Sequence, residues 1–175
     1  VHRFRHMIFD DFYEQLNFFL NFSHKNKNIK WLIKPHPNQF EANDKVFEYL
    51  KQKYKNAIFL DKNTNNNSLI KLKPKFVVTN HGTVAHEFAY NKIPVINTGD
   101  NSHISYNICL NQNNKKQLLN MILNIDIYKK KINFDKKLIY EYAYMYYKHP
   151  GTMIDKYKLR LDDRYNDFKK FHYKK

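Results

Sequence analysis

Glycine, cysteine and arginine are scarce in this chain, and each shortage removes a class of chemistry. Only three glycines occur in 175 residues, Gly82, Gly99 and Gly151. That is too few for a Gly-x-x-x-x-Gly-Lys-Ser/Thr phosphate loop or a Gly-x-Gly-x-x-Gly dinucleotide turn, and neither pattern is present. With five prolines beside them, collagen-like and linker-like character is excluded as well. The single cysteine, Cys109, rules out an intramolecular disulfide framework and a Cys-rich zinc site. It has no neighbouring base in sequence to make it a nucleophile. No apolar run approaches the roughly 18–20 residues of a membrane span. The opening Val-His-Arg-Phe-Arg lacks the apolar core of a signal peptide and reads as the start of a cut fragment.

Arginine is the third shortage. The formal net charge is +15, yet only Arg3, Arg5, Arg160 and Arg164 are arginines. Lysine carries the rest, together with abundant Asn, Ile, Phe and Tyr, a composition that AT-rich coding produces. Readers of phosphate and bases favour arginine's fork. The charge therefore reads first as a solvated lysine surface, and second as a face for a polyanion or an anionic membrane.

What the chain does have is apolar and aromatic bulk, 42% and 17% of its residues. That is enough to offset the entropy of ordering, and the length suits one full core rather than two. Apolar residues at helical spacing predict a helix from Phe9 to about Asn26, with Asp10, Asp11 and Glu14 in its first turns. Short apolar runs predict four strands, at Ile29–Ile33, Ala57–Leu60, Phe76–Thr79 and Ile93–Ile96. Helices are predicted between them at 41–54, 68–73 and 84–91. From Asn114 the pattern is helical, through 132–147 and about 154–171. This alternation specifies an α/β fold, a Rossmann-like parallel sheet with helices on both faces and a helical C-terminal extension. The expected division is a nucleotide-sugar-binding domain over 1–125 and C-terminal helices over 126–175.

In an open parallel sheet, ligands bind outside the carboxyl ends of the strands. Three unusual polar segments fall at such ends: Lys34-Pro35-His36-Pro37-Asn38, Thr79-Asn80-His81-Gly82-Thr83 and Asn97-Thr98-Gly99-Asp100-Asn101. Gly82 and Thr83 precede a helix whose first N–H groups suit an anion, or they form a plain cap. Asn80 and His81 add donors that a cap does not need. His36, between two prolines, is held at a fixed angle to a ligand phosphate, or is a turn histidine bonded to nearby backbone. Lys34 reads as a solvated strand-end lysine that can add charge to the same site. Glu87, one turn after Thr83, suits a ribose diol, or is an ordinary exposed helix glutamate, or forms an ion pair with Lys92. Gly99, Asp100 and His103 are placed at the pocket edge, and His86 in packing or at the surface. No metal site is expected: His81 and His86 are five apart, not the four of a helical zinc pair. The tyrosines at 140, 142, 144, 146 and 147 read as a helix packing back on the sheet, with base stacking as the alternative.

These residues resemble a family. Ile33-Lys34-Pro35-His36-Pro37, then Val78-Thr79-Asn80-His81-Gly82-Thr83, Glu87-Phe88-Ala89 and Ile93-Pro94-Val95-Ile96 with Gly99, look like the carboxyl-terminal half of GT-B-type bacterial glycosyltransferases. The likeness covers about 28–119. It is closest to capsule and surface-polysaccharide biosynthesis enzymes, including Kdo transferases, and more distant to bacterial sialyltransferases and CDP-glycerol glycerophosphotransferases. It implies a domain that binds a nucleotide-activated donor, CMP- or CDP-linked in preference to UDP-linked, with no other cofactor. His36 and Pro37 match the family's His-Pro contact to the donor phosphate, with His36 in the catalytic role. Asn80 to Thr83 match its hydroxyl-rich turn, though only Thr83 supplies a hydroxyl. Glu87 matches the acidic residue that serves ribose or base.

The acceptor, a glycan or glycolipid, and the general base would belong to an N-terminal Rossmann domain absent from this chain. The half alone would then bind nucleotide weakly and turn nothing over. The implied location is cytoplasmic, with peripheral contact at an anionic inner membrane. Two alternatives stand beside it. One is a fragment of a UDP-N-acetylglucosamine 2-epimerase-like enzyme, although Asn97 to Asn101 lacks that family's acidic stretch. The other is a non-catalytic, basic nucleic-acid-binding module.

Overall fold

The computed structural model describes residues 7–39, 41–80 and 82–147. The helix expected at 154–171 lies outside them. The chain divides into two compact units, Met7–Pro74 and the residues from Lys75 on.

In the first unit, α1 (Phe12–Lys25) leads into β1 (Trp31–Ile33), α2 (Glu41–Lys53), β2 (Ala57–Phe59) and α3 (Asn66–Lys71). Helix α1 starts three residues later than its apolar pattern suggests, because Asp11 caps it. The Asp11 carboxylate accepts the Glu14 N–H at 2.7 Å, and Glu14 reaches back to the Asp10 N–H at 2.8 Å. Phe9 thus precedes the helix and joins Phe18, Phe19, Phe22 and Trp31 in a chain of ring contacts, with centroids 5.1–6.4 Å apart. Similarly, Asn65 caps α3 by accepting from the Asn67 N–H, so that helix begins two residues before the expected Ser68.

The second unit runs β3 (Val77–Thr79), α4 (Val84–Tyr90), β4 (Val95–Asn97) and β5 (Leu110–Asn111). It continues through α5 (Lys115–Leu123), α6 (Ile125–Tyr128) and α7 (Lys136–Tyr147). Strand β4 is central and buried along its whole length. The unit's buried residues also include Ala85, Phe88, Ile93, Ile108, Leu118 and Ile122. Helix α7 packs on α4 and on the 3-10 turn at Ile104–Tyr106.

The α/β class, the parallel strands flanked by helices and the helical C-terminal end are as the sequence implies. The expected single sheet is instead two parallel ladders. β1 pairs with β2 in register Leu32 to Ile58, while β3 pairs with β4 and β4 with β5. The first ladder departs from the pattern of strands buried on both faces. Its middle residues, Leu32 and Ile58, are exposed, whereas Trp31 and Ala57 are buried. Strand β5 was not anticipated. It closes the apolar run Ile108-Cys109-Leu110, of which only Leu110, with Asn111, enters the ladder.

Candidate functional site

The second unit holds the better-built site. Because β3, β4 and β5 are parallel and in register, Thr79, Asn97 and Asn111 lie abreast at one edge. Asn80, Thr98 and Gln112 follow directly outside it. The Thr98 N–H donates to the Thr79 carbonyl at 3.0 Å, and the Gln112 N–H to the Asn97 carbonyl at 3.2 Å, so the ladder extends one residue into the loops.

Asn80 is only 5% exposed, and among the described residues neither its amide nitrogen nor its carbonyl oxygen has a hydrogen-bond partner. Such a group costs about 1–3 kcal/mol when left unpaired. Gly82, two residues on, sits in a tight but adjustable spot. A Cβ there would stand 3.2 Å from the Thr79 hydroxyl oxygen and 3.3 Å from a Val84 methyl. Thr83 occupies the cap position of α4 without a side-chain cap bond, and its side chain is exposed. That leaves its hydroxyl uncommitted to the helix. Glu87 is exposed in the first turn of the same helix. His81 lies outside the described residues.

Behind the β4 end sits a network that the sequence reading missed as a unit. The buried Asn97 amide donates to His103 Nε2 at 3.0 Å and to Asn111 Oδ1 at 3.1 Å. His103 Nδ1 meets His86 Nε2 at 3.1 Å. Asn101 donates to the same Asn111 oxygen and accepts the His103 backbone N–H. Tyr142 of α7 covers both imidazoles, with centroids 4.4 Å from His86 and 5.5 Å from His103, and its hydroxyl bonds Ser102 Oγ at 2.5 Å.

Burial pushes both imidazoles down to about 4, and the neighbouring His86 adds to the effect on His103. Both are therefore neutral at pH 7. His103 is a fully buried brace of the loop carrying Gly99 and Asp100, which are themselves half-buried. Cys109 is buried beside this network, and burial pushes its thiol up to about 12, so it is no nucleophile. One signal for the network was available: Ile108-Cys109-Leu110-Asn111 repeats the apolar-run-then-Asn pattern of Pro94-Val95-Ile96-Asn97.

The first unit presents its own carboxyl-end loop. Lys34 donates to Asn66 Oδ1 at 2.7 Å, which anchors the lysine to α3 instead of leaving it fully solvated. His36 and Pro37 are exposed, and His36 Nδ1 accepts the Asn38 N–H at 3.1 Å. This bond fixes the ring as the turn reading required and leaves Nε2 as its free edge. A cleft of about 370 Å³ opens between α2 and the ends of β1 and β2, lined by Pro35, Asp44, Phe47, Phe59, Asp61 and Lys62 among others.

Among the described residues, no group of three or more His, Cys, Asp or Glu is arranged to hold a metal ion. No described helix is long and apolar enough to cross a membrane. No protein-family model, no curated protein and no solved structure matches the chain.

Proposed function

We propose that this chain is the donor-nucleotide-binding half of a glycosyltransferase, or of a phospho-alcohol transferase, that builds capsular or other surface polysaccharide. The observation that carries the reading is the carboxyl edge of β3–β4–β5. There a buried Asn80 amide finds no partner for either polar atom among the described residues, at the edge where parallel sheets bind ligands. A loop braced by buried asparagines and neutral histidines gives that edge a fixed shape before any ligand arrives.

In this reading the Asn80–Thr83 turn holds the donor phosphate, Glu87 serves the nucleotide's ribose or base, and Gly99 and Asp100 border the pocket. The family resemblance also gives His36, with Lys34, a donor-phosphate contact, which belongs to the first unit's own loop. With a sugar donor, an acceptor hydroxyl attacks the anomeric carbon, the bond from that carbon to the phosphate oxygen breaks and the nucleotide leaves with the electrons. With a phospho-alcohol donor, the hydroxyl attacks the alcohol-bearing phosphorus, the P–O–P bond breaks and the nucleoside monophosphate leaves. Hydrogen-bond donors at that phosphate stabilise the departing charge. The proton of the acceptor hydroxyl goes to a base on a separate acceptor-binding domain.

Calorimetric titration of the chain with CMP and CDP tests the proposal. Binding that Asn80→Leu or His36→Ala weakens tenfold or more supports it. Binding only to RNA, steep in salt and unchanged by either substitution, replaces it with a basic nucleic-acid-binding module.

A further inference from the structure

The run from α5 through α6 has two faces. Leu118, Met121, Ile122 and Ile125 are buried, at spacings of three and four that persist through the Asn124 break. The Asn124 N–H still bonds the Asn120 carbonyl, and the Ile127 and Tyr128 N–H groups bond that of Asn124, so the helical path continues across it. The opposite face therefore carries Lys116, Asn120, Leu123, Ile127 and, one turn on, Lys130. Leu123 is 56% and Ile127 62% exposed, among the most exposed large apolar residues described. Lysines bracket this pair: Lys115 and Lys116 at one end, and the exposed Lys129–Lys131 turn at the other. The one carboxylate in the run, Asp126, is occupied by Lys129 at 2.7 Å and Lys75 at 2.9 Å. Those ammonium groups hold it down to about 2. Half-buried Tyr128 lies under Lys131, whose ammonium is 5.1 Å from its ring centre.

We infer that this face docks on an anionic lipid surface, with Leu123 and Ile127 in the acyl boundary and the lysines on the headgroups. Two features select that occupant. The apolar pair at the centre has nothing to offer a nucleic-acid backbone, which would want lysine or an aromatic ring there. The flanking lysines repel a second copy of the same face. An apolar centre with a lysine rim and a tyrosine beside it matches an interface whose interior is hydrocarbon and whose surface is phosphate. The inference shares no residue with the donor site and stands without it.

Vesicle co-sedimentation tests it, with phosphatidylcholine alone and with about one third phosphatidylglycerol to supply a negative surface potential. The chain is expected to bind the anionic vesicles and to lose that binding in high salt. Lys129, Lys130 and Lys131 changed together to Gln should weaken it about 100-fold. Leu123→Ser with Ile127→Ser should weaken it tenfold or more with the melting temperature unchanged. These side chains are exposed, so the folded state is retained, and circular dichroism checks this. Anionic-vesicle binding that survives both sets of changes overturns the assignment. So does binding to RNA but not to vesicles, or a dimer in sedimentation equilibrium that the Ser pair dissolves.

Discussion

The His103 backbone N–H can only donate, and that fact fixes the amide and imidazole protons around it. Asn101 must accept it with Oδ1, so the Asn101 Nδ2 group donates to Asn111 Oδ1. Asn111 then accepts from Asn97 as well, and the second Asn97 hydrogen goes to His103 Nε2. An accepting Nε2 places the His103 proton on Nδ1, which donates to His86 Nε2 and leaves the His86 proton on Nδ1. Protonating His103 Nε2 or His86 Nε2 would set donor against donor. Replacing Asn97 by Asp reverses this logic, because a carboxylate rewards a proton on His103 Nε2. Asn97→Asp should raise the His103 pKa by about one unit or more from its value near 4, read by NMR titration of the ring. Asn97→Ala leaves His103 and Asn111 without that partner and should destabilise the fold by about 2–3 kcal/mol in urea unfolding.

The same two imidazoles set an acid limit. Their folded pKa is about 4 and their unfolded value 6.5, so the unfolded chain binds more protons between those pH values. Stability from this pair is complete above pH 6.5 and is lost as pH falls towards 4. It amounts to up to about 3 kcal/mol for His103, and less for His86, which keeps some water contact. The urea midpoint should fall through that window, and the fall should be smaller in a His86→Phe variant. A midpoint flat from pH 7 to 4.5 would mean that the rings are not buried as described.

At the scale of elements, the sequence announced its helices and strands through apolar spacing, and most boundaries moved by only one to three residues. The helix shifts have local causes, since Asp11 and Asn65 cap their helices, while strand pairing begins two residues late at Trp31 and Val95 and runs on to Asn97. The three polar segments at the strand ends were legible because Pro and Gly interrupt apolar runs there. The buried network was not. Its members come from α4, the ends of β4 and β5, and the turn at Asn101–His103, so no single window contains them. His103 reads as a loop histidine in sequence and becomes a core residue only when Tyr142, 39 positions on, closes over it. Element ends also store strain. Lys92 closes α4 at φ 60°, a left-handed conformation that costs a lysine about 1 kcal/mol and glycine almost none. Lys92→Gly should raise the melting temperature by a few degrees.

For the whole molecule, two compact units each end their parallel strands in polar loops, and a lysine-dominated surface gives the chain its net charge of +15. Donor binding and surface charge make different demands on that chain. A built nucleotide site responds to one small ligand at a few named residues and tolerates moderate salt. A charge effect spreads over many lysines and fades with ionic strength. An NMR titration of the labelled chain with CMP, CDP, UMP, UDP and a short single-stranded RNA separates the two most directly. The account predicts saturable shifts at the amides of Asn80, Gly82 and Thr83 with a cytidine nucleotide. Shifts that appear with RNA only, spread over the lysine-rich helices while the Asn80–Thr83 turn stays still, would contradict it.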